Sequence, residues 1–327
     1  MLILNKIYSR ILFIRLSSLG DLILTTPVIR SFANSFPECE IDLVTQDIFS
    51  NILDYNPHVN KIFPFRKRNI NQQLFEKLKK RKYDLVIDLQ NNNYSRKICK
   101  QLDCQILRFN KPHIKKFLLV NTKVNLYSSI KQIPEMYGEV IDQLRLDSKG
   151  PELFQAREVS PEKDPQVISL CPGSKHFTKM WPAEYFIELG NELINMGFGV
   201  KLVGGKDDRT ICAEISKGVL GSIDVSNDND FEQICVELKK SPLVICNDSG
   251  LMHTATALDV PVISIFGSTV EEFGFFPYKS RNLVLENKGL SCRPCSHIGR
   301  NRCPKKHFKC MREIKPQMVI EALTKMM

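Results

Sequence analysis

The sequence predicts an α/β protein built from two units, each with a parallel sheet. Short runs of β-branched and aliphatic residues alternate with longer segments of helical pattern, pause in a polar stretch at 147–166, and resume from residue 167. Parallel strands need long crossovers, which helices usually supply, so this alternation indicates sheets covered by helices on both faces. The length of 327 residues also suits two domains of roughly 150 residues each.

The elements follow this pattern in order. The predicted strands are apolar runs bounded by turn residues, at 11–16, 40–46, 61–65, 83–90, 105–109, 167–171, 199–205, 242–248 and 260–267. The segment at 133–146 has helical periodicity and closes the first half. The stretch at 147–166 carries three prolines and is predicted to be a linker. We therefore expect one domain over 1–155 and another over 156–327.

Composition favours a globular protein with an anionic partner. The formal net charge is +10, and basic runs occur at 79–82, 111–116 and 300–309. Such an excess favours nucleic acid, a phosphorylated lipid or an acidic membrane surface, although any single run could be a solvated face. Lys6 and Arg10 interrupt the apolar opening, so we expect a cytoplasmic protein without a signal peptide.

Four strand-to-helix turns are candidate binding sites, because open α/β sheets bind ligands beyond the carboxyl ends of their strands. They are SSLGD at 17–21, CPGSKHFTKMWP at 171–182, GGKDD at 204–208 and NDSGLMH at 247–253. In the last turn, Ser249 and Gly250 would leave backbone N–H groups at a helix start, which favours a phosphate. The remaining alternative there is that Asp248 is a simple helix cap.

The two middle turns carry polar side chains that could bind the phosphate and the ribose of a nucleotide. Ser174 and Lys179 could supply a hydroxyl and a cation to a phosphate, while Asp207 or Asp208 could bind a ribose hydroxyl. His253 lies three residues after Gly250, which raises it above an ordinary structural histidine.

The turns and the motifs around them together resemble glycosyltransferase family 9, the ADP-heptose:lipopolysaccharide heptosyltransferases. The matching stretches run in order from residue 11 to about residue 320: RLSSLGDLILTTPVIR, PGSKHFTKMWP, LVGGKDD, NDSGLMHTATAL, FGST and CRPC…C…CMREI. The resemblance implies a GT-B fold, in which two Rossmann-like domains face each other across a cleft. The first domain would bind the acceptor and the second the nucleotide sugar.

The resemblance also implies roles for individual residues. Asp21 would be the general base of an inverting transfer, with Ser18 and Gly20 on the acceptor side. Lys179 would stabilise the leaving diphosphate, and no metal is implied in this scheme. The implied donor-binding residues are Ser174, Asp207, Asp248, Ser249, Gly250 and His253.

The start of the helix near Asp21 has two readings. Thr26 and Pro27 could begin a helix and leave Asp21 in a loop, or a helix could start near Gly20 and be kinked by Pro27. The resemblance favours the second reading.

Four of the eleven cysteines cluster near the C-terminus, at Cys292, Cys295, Cys303 and Cys310. One close pair followed by two single cysteines is a weaker zinc signal than two pairs. They are candidate ligands of a structural zinc or iron, with reduced thiols as the alternative.

The prediction is an enzyme that transfers heptose, or a related sugar, from ADP-heptose to the inner core of lipopolysaccharide. Its partners would be the nucleotide sugar, the lipopolysaccharide acceptor and the anionic inner face of the cytoplasmic membrane, with contact sought at 74–83 and 111–120. Another donor sugar or a protein acceptor stays open. A zinc-finger protein that binds nucleic acid is disfavoured, because no standard nucleic-acid-binding module is present.

Overall fold

The structure is a computed structural model that describes residues 6–66, 72–154, 164, 166–228 and 230–327. The chain divides into two compact units, Met1–Lys111 with Lys131–Gln155, and Pro112–Ile130 with Ala156–Met327. The first five residues, most of the second half of the predicted linker and the predicted domain boundary lie outside the described residues.

The first unit contains a five-stranded parallel sheet in the order β3-β2-β1-β4-β5. Its strands are β1 (Arg10–Ile14), β2 (Glu40–Gln46), β3 (Lys61–Phe65), β4 (Leu85–Asp88) and β5 (Gln105–Arg108). The central strand β1 buries Ile11, Leu12, Phe13 and Ile14 completely. A strand covered on both faces reads as a continuous apolar run, which explains why the sequence predicted it.

The helices up to residue 138 are short. They are α1 (Leu19–Ile23), α2 (Thr26–Ser35), α3 (Gln72–Arg81), α4 (Asn93–Cys99), α5 (His113–Asn121) and α6 (Ile133–Gly138), with a 3-10 helix at Asp47–Leu53. Of these, α5 belongs to the second unit, although it lies in the first half of the chain.

The structure combines the two readings of the chain near Asp21 and shortens a second predicted helix. A short helix, α1, starts beside Gly20 and contains Asp21, and Thr26 and Pro27 begin a separate helix, α2. The prediction of one helix kinked at Pro27 was wrong, because the chain breaks between α1 and α2. The helix predicted over 133–146 ends at Gly138. Gln143 adopts a φ of 65°, which is left-handed backbone that no helix continues through.

The second unit contains a six-stranded parallel sheet in the order β11-β10-β9-β6-β7-β8. Its strands are β6 (Val167–Cys171), β7 (Gly199–Leu202), β8 (Ile223–Asp224), β9 (Val244–Asn247), β10 (Val262–Phe266) and β11 (Asn282–Glu286). Its later helices are α7 (Ala183–Asn195), α8 (Arg209–Gly218), α9 (Phe231–Lys239), α10 (Gly250–Ala257), α11 (Lys309–Arg312) and α12 (Pro316–Met326).

Both sheets have the strand order of a Rossmann-like fold. In each unit the strand order reverses beside the first strand, between β1 and β4 in one sheet and between β6 and β9 in the other. Loops leave this point in opposite directions and open a crevice, which is where such sheets bind ligands. The turns that follow β1, β6 and β9 are therefore the first places to look for a site.

None of the helices in the described ranges combines the length and the apolar character needed to cross a membrane.

Candidate functional site

The turn after β1 holds Asp21 by both of its carboxylate oxygens. Oδ2 accepts hydrogen bonds from the backbone N–H of Ser18 at 3.0 Å and from its hydroxyl at 2.8 Å. Oδ1 lies 2.5 Å from a guanidinium nitrogen of Arg15 and accepts a longer bond of 3.4 Å from the hydroxyl of Tyr137. Ser18 is the N-cap of α1 and Gly20 is buried within that helix, so Asp21 both caps the helix and neutralises a buried cation.

Arg15 is fixed from three sides. It donates to the carbonyl oxygen of Leu89 at 2.7 Å, pairs with Asp21, and lies over the ring of Tyr137 at 5.3 Å. The neighbouring backbone N–H groups of Leu16 and Ser17 donate to the side-chain oxygen of Gln90, which follows β4. The turns after β1 and β4 are therefore joined at the point where the strand order reverses.

This arrangement keeps Asp21 ionised. Burial alone would raise the pKa of its carboxyl, but the charge of Arg15 and the hydrogen bonds from Ser18 outweigh it and lower the pKa. Burial raises the pKa of Tyr137, which stays a neutral hydrogen-bond donor. The side chain of Asp21 retains 15% of its exposure, so it is largely but not completely buried.

In the second unit, the turns after β6, β9 and β10 meet at one ion pair. The ammonium of Lys179 lies 2.7 Å from the carboxylate of Asp248, and the same carboxylate oxygen accepts a 2.6 Å bond from the hydroxyl of Thr269. Asn247 accepts from the backbone N–H of Trp181 at 3.0 Å and donates to the carbonyl of Pro172 at 2.7 Å. The ion pair thereby fixes the position of Lys179. An ammonium has three N–H donors, and the contact with Asp248 needs only one of them.

The start of α10 lies directly after Asp248. Ser249 is the N-cap, and its hydroxyl oxygen is buried and has no hydrogen-bond partner within the described ranges. Ser174 donates to the carbonyl of Asp248 at 3.3 Å. Gly250 opens the helix, while His253 is buried one turn further, with its ring centre 6.4 Å from that of Phe275.

The two acids of the GGKDD turn have different environments. Asp207 is exposed, whereas Asp208 accepts a 3.1 Å bond from the backbone N–H of Gly205. Gly173, in the turn after β6, approaches Asp208 closely, since a Cβ added to it would lie 1.9 Å from the carboxylate and would displace that side chain. Burial raises the pKa of Asp208. Asp208 is therefore built into the turn, and Asp207 is the acid that faces solvent.

Arg293, between the first two cysteines of the cluster, is a buried residue that the sequence analysis missed. Its guanidinium donates to the carbonyls of Gly267 and Thr269 at 2.5 and 2.7 Å, and it pairs with Glu286 at 2.8 Å. It thus braces the FGST turn, which supplies Thr269 to Asp248. The sequence offered one indication of this role, namely an arginine between two cysteines of a segment that otherwise resembles a metal-binding loop.

The clustered cysteines are in the same unit. Burial raises the pKa of the Cys295 thiol and brings that of Cys310 to about 12, so both are protonated at neutral pH. The sulfur of Cys292 lies 3.8 Å from Nε2 of His307. Among the residues that the structure describes, no group of three or more His, Cys, Asp or Glu side chains is arranged to hold a metal ion.

A model of glycosyltransferase family 9 (heptosyltransferase) matches residues 71–306. The chain belongs to this family. Lipopolysaccharide heptosyltransferase 1 of Pseudomonas aeruginosa is 25% identical over 308 residues, which cover 88% of this chain and 86% of that protein. This family 9 glycosyltransferase therefore matches that relative over most of its length.

Solved structures of low sequence identity share the fold. The glycosyl transferase family 9 protein of Veillonella parvula superposes with a TM-score of 0.77 at 20% identity and covers 97% of both chains. The ADP-heptose lps heptosyltransferase II of Escherichia coli gives 0.73 at 21% identity, with 97% of this chain and 98% of that one covered. The predictions of a GT-B fold and of a glycosyltransferase are thus confirmed.

The Asp21–Arg15 pair predicts a dependence of stability on pH. The Asp21→Asn variant should be less stable than the parent at pH 7 by about 3 kcal/mol, because it leaves a buried guanidinium without its counter-charge. Because folding lowers the pKa of Asp21, the parent's advantage is complete above the unfolded value of about 3.9 and is lost as pH falls below it.

Thermal unfolding between pH 7 and pH 3 would measure this difference. Asp103→Asn, which alters an exposed aspartate of the same unit, is the control and should show no comparable loss. A difference between Asp21→Asn and the parent that stays constant over the whole range would contradict the assigned ion pair.

Arg293 predicts a second effect on stability. Arg293→Lys retains the charge, but one ammonium cannot replace the planar fork that reaches three carbonyls and a carboxylate. We expect a loss of about 2 kcal/mol, since at least one buried carbonyl loses its donor. Urea unfolding would measure it against Arg302→Lys, an exposed arginine of the same loop. Equal unfolding midpoints for the two variants would show that Arg293 does not brace the turn.

Proposed function

We propose that this enzyme is an inverting glycosyltransferase that moves heptose, or a related sugar, from ADP-heptose to the inner core of lipopolysaccharide. The curated relative from Pseudomonas aeruginosa is named a lipopolysaccharide heptosyltransferase. The observation that carries the proposal is the pair of prepared groups, an ionised carboxylate at Asp21 and a fixed ammonium at Lys179. The carboxylate could accept the proton of the acceptor hydroxyl, and the ammonium could stabilise the negative charge of a diphosphate leaving group.

Asp21 would act as the general base. The acceptor oxygen attacks the anomeric carbon, its proton passes to a carboxylate oxygen of Asp21, and the bond from the anomeric carbon to the diphosphate oxygen breaks. A carboxylate with a lowered pKa is a weak base before the reaction. The acceptor hydroxyl becomes strongly acidic as its oxygen bonds to carbon, so the proton transfer is late and needs position more than basicity.

The diphosphate would bind at Lys179 and the start of α10. The ammonium has N–H donors to spare beyond Asp248, and Ser249 offers a buried hydroxyl that has no partner within the described ranges. Backbone N–H groups at a helix start and the helix dipole both favour an anion there. Lys179 and these groups would stabilise the charge that develops on the departing ADP.

The other assignments follow the same division. The first unit would bind the acceptor, with Ser18 and Gly20 beside the base. The second would bind the nucleotide sugar, with Ser174 and His253 near the phosphates and the exposed Asp207 on the ribose. The enzyme would work in the cytoplasm, on an acceptor carried by the inner membrane. Lysine and backbone amides supply the positive charge in this scheme, so it requires no cofactor.

The base assignment predicts a selective loss of turnover. In Asp21→Asn, transfer from ADP-heptose to heptoseless lipopolysaccharide should fall by roughly 100-fold or more, because general-base catalysis contributes about 10²–10⁴. ADP binding, measured by calorimetry, should be retained, since Asp21 belongs to the other unit. Asp103→Asn is the matched control and should keep full activity.

The pH dependence of kcat distinguishes a general base at Asp21 from a purely structural role of this residue. Arg15→Met removes the charge that lowers the pKa of Asp21, so the acid limb of kcat should move to higher pH. If Asp21 only capped α1, kcat would fall in this variant without any shift of the acid limb, and the base role would be lost.

Lys179 predicts a loss of donor affinity. Lys179→Met should weaken ADP binding by roughly 10- to 100-fold, because a charge-assisted hydrogen bond contributes about 1.5–3 kcal/mol. Lys175→Met, an exposed lysine of the same turn, should bind ADP as the parent does. Calorimetric titration with ADP distinguishes the two, and equal affinities would place the diphosphate elsewhere.

A further inference from the structure

The turn at 296–299 follows the second of the clustered cysteines and has a closely fixed shape. The hydroxyl oxygen of Ser296 accepts hydrogen bonds from the backbone N–H groups of Ile298 and Gly299, at 3.2 and 3.0 Å. Gly299 has a φ of 112°, and a Cβ added to it would lie 2.5 Å from the Cβ of His176. Any other residue at this position would strain the backbone and displace His176, so the turn packs tightly against that residue.

Both ends of this turn are hydrogen-bonded to the chain around Lys179. The backbone N–H of Cys295 donates to the carbonyl of Ser268 at 3.3 Å, and the hydroxyl of Ser268 accepts a 2.9 Å bond from that of Thr178. At the other end, the backbone N–H of Arg300 donates to the hydroxyl of Thr178 at 2.8 Å, and the backbone N–H of Thr178 donates to the carbonyl of Arg300 at 3.0 Å. Because Thr178 directly precedes Lys179, these bonds fix the turn beside that lysine.

His297 lies at the exposed tip of this turn. Partial burial, followed by the charges of Lys116, His113 and Lys179, lowers the pKa of its imidazole. Three basic side chains are therefore close enough to act on the ring. In either protonation state the imidazole carries an N–H donor. His297 thus adds a hydrogen-bond donor to a region that already has positive charge.

Helix α5 is held beside the same turn by the chain that follows the helix. The ammonium of Lys123, two residues beyond the helix, donates to the carbonyls of Cys292 and Pro294 at 3.3 and 2.6 Å. The side chain of Asn125 donates to Glu272 at 2.9 Å. Both contacts lie within the second unit, so α5 and the histidine-bearing turn are parts of one compact unit.

Aromatic rings connect Lys116 of α5 with helix α10. The ammonium of Lys116 lies 5.8 Å from the ring centre of Phe273 and 5.8 Å from that of Phe275. The ring of Phe275 in turn lies 6.4 Å from that of His253, which is one turn into α10. A series of contacts therefore leads from Lys116 to the helix at whose start the diphosphate is proposed to bind.

These basic side chains differ from an ordinary solvated face, which is usually one side of a single helix. Here they come from three separate segments, with Lys116 on α5, Lys179 after β6 and His297 beyond β11. Their convergence focuses positive potential in one region, and such a region attracts an anion. Because Lys179 belongs to the proposed diphosphate site, a phosphate of the donor is the anion that fits this place.

We propose that His297 and Lys116 bind the second phosphate of the donor, which is the one that carries the sugar. The inference rests on the proposed function, because it concerns the donor of the same transfer, and it adds two residues to that site. An N–H of His297 would donate to a phosphate oxygen, while the ammonium of Lys116 would lie near the phosphate charge. A nucleoside monophosphate has no group for these two residues, so they would select a diphosphate.

Calorimetric titration with ADP and with AMP tests this assignment. The parent should bind ADP roughly 10-fold or more tightly than AMP, because the second phosphate gains charge-assisted hydrogen bonds. His297→Phe keeps a planar ring but has no N–H donor, and Lys116→Met removes the charge of a long side chain. Each variant should lose roughly 10-fold in affinity for ADP and should bind AMP as the parent does.

Two control variants make the result specific. Arg302→Met removes an exposed charge from the segment that carries His297, and Lys217→Met removes one from α8. Both should bind ADP as the parent does. An equal loss for ADP and AMP in His297→Phe and Lys116→Met would show only a structural role and would overturn the assignment. Unchanged ADP binding in both, while Lys179→Met binds ADP weakly, would overturn this inference and leave the proposed function intact. If Lys179→Met also binds ADP as the parent does, the proposed diphosphate site itself is wrong.

Discussion

The buried guanidinium of Arg15 sets the constraint on which the first unit's site depends. A cation at the end of a central strand is costly unless a carboxylate and hydrogen-bond acceptors surround it. Asp21 supplies the carboxylate, Leu89 the carbonyl and Tyr137 an aromatic face. One electrostatic requirement therefore fixes the position of Asp21, its ionisation state and the start of α1.

The second unit also contains a paired charge, but there the more deeply buried group is a carboxylate and the group that it holds is a cation. There the buried carboxylate of Asp248 holds the ammonium of Lys179, and Thr269 adds a hydrogen bond to it. Arg293 supports that arrangement from behind by bracing the turn that carries Thr269. Both pairs hold a charged side chain in a fixed orientation in the folded protein. The entropy lost in ordering that side chain is therefore lost during folding and not when a ligand binds.

The strands could be predicted from the sequence because buried parallel strands are continuous apolar runs. The runs at 40–46 and 61–65 match β2 and β3 in both bounds. The two strands that the sequence analysis missed, β8 and β11, lie at the edges of their sheet, where half-exposed residues give no such run. The pattern of burial thus decides which strands a single sequence makes visible.

The polar turns were found for a similar reason, since they directly follow predicted strands. What stayed hidden were pairings between turns distant in sequence, such as Lys179 with Asp248 and Arg293 with the FGST turn. No local pattern encodes these, because they depend on which strands are neighbours in the sheet. Arg293 lies between Cys292 and Cys295, and the cysteine pattern gives no indication that this arginine braces a turn.

The path of the chain explains why the sequence did not reveal the unit to which the segment 112–130 belongs. In sequence it follows β5 of the first sheet, yet its contacts belong to the second unit through Lys123 and Asn125. A segment anchored this way covers little apolar surface of its own, because only one side faces its unit. On the other side Ile114 and Phe117 stay exposed, so they gain no burial on folding. A segment with so few buried apolar residues carries no core pattern from which its unit could be predicted.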